Sequence, residues 1–464
     1  MEEIGVIILA AGQGTRMKSQ LPKVLHPLGG KPLFLHALDV VKRLNPAKIA
    51  LIVGYGSDAV REAYRGSEVT WVLQKEQLGT GHAVLCAKDQ FKDFLGEVLI
   101  LSGDVPLIRE ATLRAMLERH RHEKAALTLM SAMLDVPRGY GRILRGENGA
   151  ITGIVEEKDA NDAQRAICEV NAGAYVAAAR ALFAALAEVK NDNQQGEYYL
   201  PDAVRILLAK GERVAAFKIE DQREMAGINS REELARMEST LRERINKQWM
   251  DAGVTFKDPA TTYIDAEVTI GRDTVIGPNT QLRGKTTIGA RCQLDGSAFI
   301  TDAQVGDEVH LRFSVVLTGC SVERGAIIGP FAHLRPGTAL GPNVHIGNFV
   351  EAKEATLGAG TKANHLTYLG DCTIGCDTNI GAGTITCNYD GFKKYKTTIG
   401  ERVQVGSDTT LVAPIVLGDD VYVATASTVR HDVPSGALVY NERQERVREG
   451  WTEKKRAQMK GKKK

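Results

Sequence analysis

The sequence has little that would staple or anchor a chain. It contains three tryptophans, 6% aromatic residues and seven cysteines in 464 positions. The cysteines stand singly, and the nearest pair, Cys372 and Cys376, lacks the second pair that a zinc site needs. Lone thiols of this kind are expected as small buried hydrophobes in a reducing compartment. No apolar run approaches the ~20 residues of a membrane span. The aliphatic start "IGVIILAAG" (4–12) follows two glutamates instead of a basic leader. These absences exclude a disulfide scaffold and membrane insertion, and they point to the cytoplasm. A dominant charge is missing too. The net +2 arises from "KKRAQMKGKKK" (454–464), whose seven basic residues leave the rest of the chain at −5. Such a tail reads as a solvated end, and nothing else invites a nucleic-acid partner.

The first motif is also defined by what it lacks. "LAAGQGTRM" (9–17) follows a buried-strand pattern, as a phosphate loop would, but Met17 stands where a dinucleotide fingerprint has its third glycine. No Gly-Lys-Ser/Thr follows either. What is present still suits an anion. Gly12 and Gly14 let backbone N–H groups approach it, and Arg16 and Lys23 add full positive charge. The runs "GVIILAA" (5–11), "KIALIVG" (48–54) and "EVLILSGD" (97–104) read as buried parallel strands. The amphipathic "PLFLHALDVVKRL" (32–44) between them reads as a helix. This βαβ alternation predicts a Rossmann-like α/β domain with helices on both faces and ligands beyond the carboxyl ends of the strands. Asp104 falls on that edge and is a hard oxygen donor for a divalent metal.

Glycine is in excess, at 47 residues, and the second half of the chain accounts for it. "NSREELARMESTLRERINKQWMDAG" (229–253) predicts a helix opened by a Ser230–Glu233 capping box, stopped at Gly253 and exposed as a connector. From residue 264 six-residue units recur, as in "IGRDTVIGPNTQ" (270–281) and "IGCDTNIGAGTI" (374–385). An aliphatic comes first, a small residue second, and often Thr, Val, Ala or Ser fifth. Three units make one coil of a left-handed parallel β-helix of hexapeptide repeats. The first residue points inward, and the second-position glycine supplies the tight turn. Residues 264–430 allow about nine coils at ~4.8 Å spacing. One surplus residue between Ile380 and Ile399 places an outward loop at "CNYDGFKKYK" (387–396). Of ten histidines, His82, His310 and His345 fit structural or surface roles. His365 is third in its unit and points outward, as do Tyr368, Asn379 and Ser407, where packing does not require them.

"LAAGQGTRMKSQLPK" closely resembles the opening of the sugar-nucleotide pyrophosphorylases. Six further motifs follow in order: "QKEQLGTGHA" (74–83), "GDVPL" (103–107), "GYGRI" (139–143), "IVEEKDA" (154–160), "NQQGEYYLPD" (193–202) and "HLTYLGD" (365–371). With the hexads, they resemble the enzymes that join N-acetylglucosamine-1-phosphate uridylyltransferase to glucosamine-1-phosphate acetyltransferase, over residues 4 to about 452. The resemblance implies a uridylyltransferase domain (1–229), a helical linker (230–252) and a β-helix acetyltransferase domain with the basic tail (253–464). It implies UTP and N-acetylglucosamine contacts from Leu9, Ala10, Ala11, Gly12, Gln74, Gly79, Thr80, Ser102, Gly103, Gly141, Glu156 and Asn171. Mg²⁺ would be held by Asp104 and Asn229, and the phosphates neutralised by Arg16 and Lys23. In the second half it makes His365 the base for acetyl transfer. Arg335 and Lys353 would bind the sugar phosphate, and Tyr368 and Asn379 the amino sugar. Ala382, Asn388, Tyr389, Ser407, Thr425 and Arg443 would meet acetyl-CoA, with Asn388 and Tyr389 also lining the amino-sugar site. Arg443 adjoins Glu442, which stands where the family carries an arginine, and Thr425 replaces an expected alanine. A homotrimer is implied, with acetyl-transfer pockets between the prisms. The small-molecule substrates would be glucosamine 1-phosphate, N-acetylglucosamine 1-phosphate, UTP and acetyl-CoA. Two other readings are a nucleotidyltransferase whose β-helix only trimerises or regulates, and a non-catalytic nucleotide sensor.

Overall fold

A computed structural model describes residues 3–442 and 445–461. The chain divides into two compact units, Met1–Ile245 and Asn246–Lys464. In the first, the aliphatic runs form the strands Ile4–Ala10, Lys48–Val53 and Glu97–Ser102. Alternation along them feeds two cores. Ile7, Ile52, Val98 and Ile100 pack with Val84, Leu182 and Leu207 on one face. Val6, Ile8, Leu51 and Leu99 pack with Phe34, Leu38 and Leu113 on the other. Each fully buried side chain of this size contributes about 1.5–3 kcal/mol, so both faces hold helices in place.

The strand order is Val214–Lys218, Leu127–Met133, Glu169–Ala178, Glu97–Ser102, Ile4–Ala10, Lys48–Val53, Val69–Leu73. Ile4–Ala10 lies between Lys48–Val53 and Glu97–Ser102 and is parallel to both. The chain therefore reverses its winding there, and its carboxyl ends open a crevice. The sheet is mixed, because Glu169–Ala178 runs antiparallel to both of its long neighbours. The chain reaches it through the antiparallel pair Arg142–Arg145 and Ile151–Val155 instead of a helical crossover. A register shift between Asn171 and Tyr175 bends this strand beside the crevice.

The predicted helix spans Arg231–Asp251 and contains the division between the units. Its first turns are more than an exposed connector. Leu234, Met237 and Leu241 pack on Met17, Leu28, Leu33, Leu107 and Ile228. The Arg244 guanidinium donates to the Leu107 carbonyl at 2.7 Å.

In the second unit, short parallel strands stack on three faces. One face is an eleven-stranded sheet from Thr255–Phe256 to Leu438–Val439. The other two share a seventeen-stranded sheet, because Glu351–Leu357 and Tyr368–Ile374 run through the corner between them. The prism is thus longer than the expected nine coils. Its end coils do not carry the Ile-Gly hexad, which is why the repeat did not reveal them. First-position residues form the dry axis: Leu294, Leu311, Ile328, Ile346, Ala363, Ile380, Val405 and Val423 stack in register and are buried.

Two expectations about this repeat need correction. Second-position glycines do not supply the turn. A Cβ on Gly381 would come within 2.5 Å of Gly406 backbone, and one on Gly271 within 2.4 Å of Ala290. They are small because neighbouring coils touch there. The positive-φ turn falls at the fourth position, on Asp273, Asn279, Asp377, Asp408 and Asp420 among others. Asp and Asn tolerate this region through local hydrogen bonds. The surplus is also larger than one residue. Ile380 pairs with Val405, 25 positions on, where the coils just before and after it advance 17 and 18. The extra length forms the loop after Ile385–Cys387, closed by a bridge between Tyr389 and Lys394.

Of the seven cysteines, only Cys292, Cys320 and Cys372 are buried as expected; Cys86, Cys376 and Cys387 are half-buried and Cys168 is exposed. Burial pushes the Cys320 and Cys372 thiols up to about 12, so they stay protonated. No described helix is long and apolar enough to cross a membrane.

Candidate functional site

Two adjoining cavities occupy the crevice of the first unit. One, of about 350 Å³, is lined by Leu9, Ala10, Ala11, Gly12, Lys23, Gln74, Gly79, Thr80, Ser102 and Asp104. The other, of about 310 Å³, is lined by Arg16, Arg138, Tyr140, Glu156, Asn171 and Asn229. Both share Leu9, Thr80 and Ser102. Local backbone needs explain the arrangement. Gly14 has φ 68°, and a Cβ there would stand 2.5 Å from Lys23 Cβ. Any other residue would strain the turn and displace Lys23. Gly103 N–H donates to the Leu9 carbonyl at 2.8 Å, which ties the Asp104 turn to the first strand. Ile228 N–H donates to the Asp104 carbonyl at 3.0 Å, which brings Asn229 to Asp104 across 125 residues of chain.

The Lys23 ammonium pairs with the Asp104 carboxylate and donates to Asn229 Oδ1 at 3.1 Å. One positive charge therefore sits where two hard oxygens converge, the donor set a divalent cation takes. Asn229 is held from behind. Its N–H donates to Glu233 Oε2 at 2.6 Å, and Glu233 N–H donates to Ser230 Oγ at 3.2 Å. The capping box thus starts the helix and fixes a donor of the site.

In the second cavity, Asn171 N–H donates to the Gly141 carbonyl at 2.8 Å, and the Asn171 side-chain amide donates to Tyr175 Oη at 2.6 Å. Burial raises the Glu156 carboxyl above the usual carboxylate range, and Asp159 and Asp202 add to the rise. Arg138 and Tyr140 were not singled out from the sequence. Tyr140 lies within "GYGRI" and Arg138 directly before it, and that was the available signal.

In the second unit, His365 is exposed at the end of Lys362–His365, while Ala363, two residues earlier, is fully buried. Its Nδ1 lies 2.9 Å from Asn348 Oδ1. An amide oxygen can only accept, so Nδ1 carries the proton and Nε2 offers its lone pair. Asn348 is one coil earlier at the same position. Stacking at 17 residues was the signal that would have found it. The register continues through Ala382, Ser407 and Thr425, each third in successive coils, joined by the ladder bonds Asp408 N to Ala382 O and Ala426 N to Ser407 O. An imidazole thus heads a column of small side chains.

On the next face Arg335 pairs with Glu351 at 2.7 Å, and Lys353 follows one coil on. The nearby Lys394 ammonium holds Lys353 below its usual range, and Arg335 adds to this. Lys394 belongs to the surplus loop and extends the cationic patch beyond the two residues named from the sequence. The Asn388 amide pairs with Asp371, and Tyr389 is exposed on the loop. Asn379 stands apart from this group. It aligns with Lys362 and Gln404 on the eleven-stranded face, whereas Arg335, Lys353 and Tyr368 belong to the other sheet. His365 lies at the corner between the two. Arg443 lies outside the described residues.

Comparison with known proteins follows this division. Residues 6–205 match the MobA-like NTP transferase domain, and residues 319–351 the bacterial transferase hexapeptide (six repeats). Over 452 residues the chain is 47% identical to the bifunctional protein GlmU of Pelobacter propionicus, covering 97% of this chain and 98% of that one. It is 48% identical to that of Shouchella clausii over 93% and 95% of the two chains. With that of Geotalea uraniireducens it is 46% identical over 98% and 100%. The chain belongs to the bifunctional GlmU family.

Proposed function

We propose that the two units perform successive steps in making UDP-N-acetylglucosamine. In the second unit the amine of glucosamine 1-phosphate attacks the thioester carbonyl of acetyl-CoA. His365 Nε2 takes the amine proton, and the coenzyme thiol leaves. A positioned base of this kind contributes about 10²–10⁴-fold. Asn348 holds the imidazole in the accepting tautomer. Arg335, Lys353 and Lys394 meet the sugar phosphate, Tyr368, Asn379, Asn388 and Tyr389 the amino sugar, and the column Ala382, Ser407 and Thr425 gives an extended coenzyme room along the corner.

In the first unit the phosphate oxygen of N-acetylglucosamine 1-phosphate attacks the α-phosphorus of UTP, and pyrophosphate leaves. Such a transfer depends on positioning and charge neutralisation. Gln74 and the Gly79–Thr80 turn hold the uracil, while Gly141, Glu156 and Asn171 hold the N-acetyl sugar. Arg16 and Lys23 neutralise phosphate oxygens. Asp104 and Asn229 fit Mg²⁺, which when bound supplies further charge neutralisation to the triphosphate. Lys23 is then free to turn to the phosphates.

The carrying observation is that an anion cradle with two converging oxygens and an outward imidazole heading a column of small residues occupy separate units of one chain. A homotrimer in the cytoplasm accompanies this reading. It is supported by the split of the amino-sugar residues between two faces of one prism, which a second prism packed alongside would complete. The test is a product assay with glucosamine 1-phosphate, acetyl-CoA, UTP and Mg²⁺, combined with sedimentation. His365→Ala should lower acetyl transfer at least 100-fold and leave uridylyl transfer on supplied N-acetylglucosamine 1-phosphate intact. Unchanged acetyl transfer would reduce the β-helix to a trimerising part.

A further inference from the structure

We propose that His82 is a positioning residue that sets the base selectivity of uridylyl transfer by fixing which end of the Gln74 amide faces the nucleotide. The proposal rests on reading the first cavity as the nucleobase pocket. Gln74 is 3% exposed and lines that cavity. Its Nε2 donates to the Gly79 carbonyl at 3.2 Å and lies 3.1 Å from His82 Nδ1. A carbonyl only accepts, so the nitrogen end is the one turned toward Gly79, and the second amide hydrogen is aimed at His82. Nδ1 therefore holds a lone pair, and the ring proton sits on Nε2, which faces Cys86 Sγ at 3.9 Å, one helical turn on. The imidazole is held in place from two sides. It belongs to the helix Thr80–Leu85, and the Tyr198 ring lies 6.4 Å from it, centroid to centroid.

With both amide hydrogens committed, Gln74 has only its Oε1 left to offer the cavity, and this atom has no partner among the described residues. A lone acceptor pairs with the N3–H of uracil and opposes the N3 lone pair of cytosine. Turning the amide over would lose the Gly79 bond and set Oε1 against the His82 lone pair. Selection between the two pyrimidines thus depends on a side chain that does not itself touch the base.

The test uses the full-length chain as wild type, His82→Ala, His82→Asn and Gln74→Ala. It measures kcat and KM for uridylyl transfer with UTP and with CTP, with acetyl transfer and melting temperature as folding controls. His82→Ala should raise KM for UTP about tenfold with a smaller change in kcat, and lower the UTP-over-CTP preference about tenfold, the factor expected for one hydrogen bond lost. His82→Asn, whose Oδ1 can accept where Nδ1 did, should restore the preference. Because the preference is a ratio, a partly unfolded sample does not change it. Wild-type preference in His82→Ala, with preference lost in Gln74→Ala, overturns the role of His82 and leaves the pocket reading standing. His82→Asn no better than His82→Ala reduces His82 to packing and also overturns it. Wild-type behaviour of Gln74→Ala overturns the pocket reading itself.

Discussion

Asn348 and Glu156 show how single residues acquire roles from their surroundings. Asn348 sits in an ordinary hexad, yet one coil of pairing brings its Oδ1 to His365 Nδ1 and decides which nitrogen is basic. Glu156 owes its raised pKa first to burial, then to Asp159 and Asp202. A carboxyl whose folded value lies above its unfolded one binds its proton more tightly in the folded state. Its full contribution is present below the unfolded value and is lost as pH rises through the folded one. Glu156→Gln should therefore melt at a higher temperature than wild type at about pH 8, with the gap shrinking as pH falls toward the ordinary carboxylate range. Melting curves across pH check this, and a gap that does not vary with pH would contradict it. The identity of Glu156 was legible in "IVEEKDA". Its protonation behaviour was not, because burial is set by the neighbours that the fold supplies.

Elements in this chain are specified by small residues at fixed places. In the β-helix the fifth-position threonines do more than fit the corner. Thr378 Oγ1 donates to the Gly400 carbonyl at 2.9 Å and accepts from Val403 N–H at 3.1 Å. Thr378→Val keeps the shape but leaves that buried N–H unpaired. It should cost about 1–3 kcal/mol, read by chemical denaturation, with uridylyl transfer unaffected. The hexad period was visible because each copy repeats the same inward aliphatic. The role of its glycine was misread, because a tight turn and a close approach between coils select the same residue type. Only the fold separates them, with positive φ at the fourth position and touching backbones at the second. Likewise the capping box at Ser230 and Glu233 was readable as a helix start, but its second use, holding Asn229, depends on what Asp104 brings next to it.

At the scale of the whole molecule, the helix Arg231–Asp251 decides where the first unit can end. Leu234, Met237 and Leu241 complete the cluster under Met17 and Leu107, so residues 1–229 alone leave it open. A chain ending at residue 251 should keep uridylyl transfer and lose acetyl transfer. A chain ending at residue 229 should be less stable by about 3 kcal/mol or more, taking about 1 kcal/mol for each partly buried side chain. Thermal unfolding and product assays on both chains check this, and equal stability of the two would contradict it. Charge density gave this helix the look of a connector, because charged residues outnumber the three that pack.

Local order alone determined much of this protein. Patterns among near neighbours sufficed for the buried strands, the switch to hexads, the helix cap and the outward position of His365, whereas the role of His365 as a base came from the family resemblance. Tertiary structure alone decided the antiparallel strand Glu169–Ala178, the convergence of Asp104 and Asn229 on the Lys23 ammonium, the tautomer of His365 and the end of the Gln74 amide that faces the cavity. Lys23 and Asn229, 206 positions apart along the chain, meet within hydrogen-bonding distance, and no periodicity along the chain encodes that meeting.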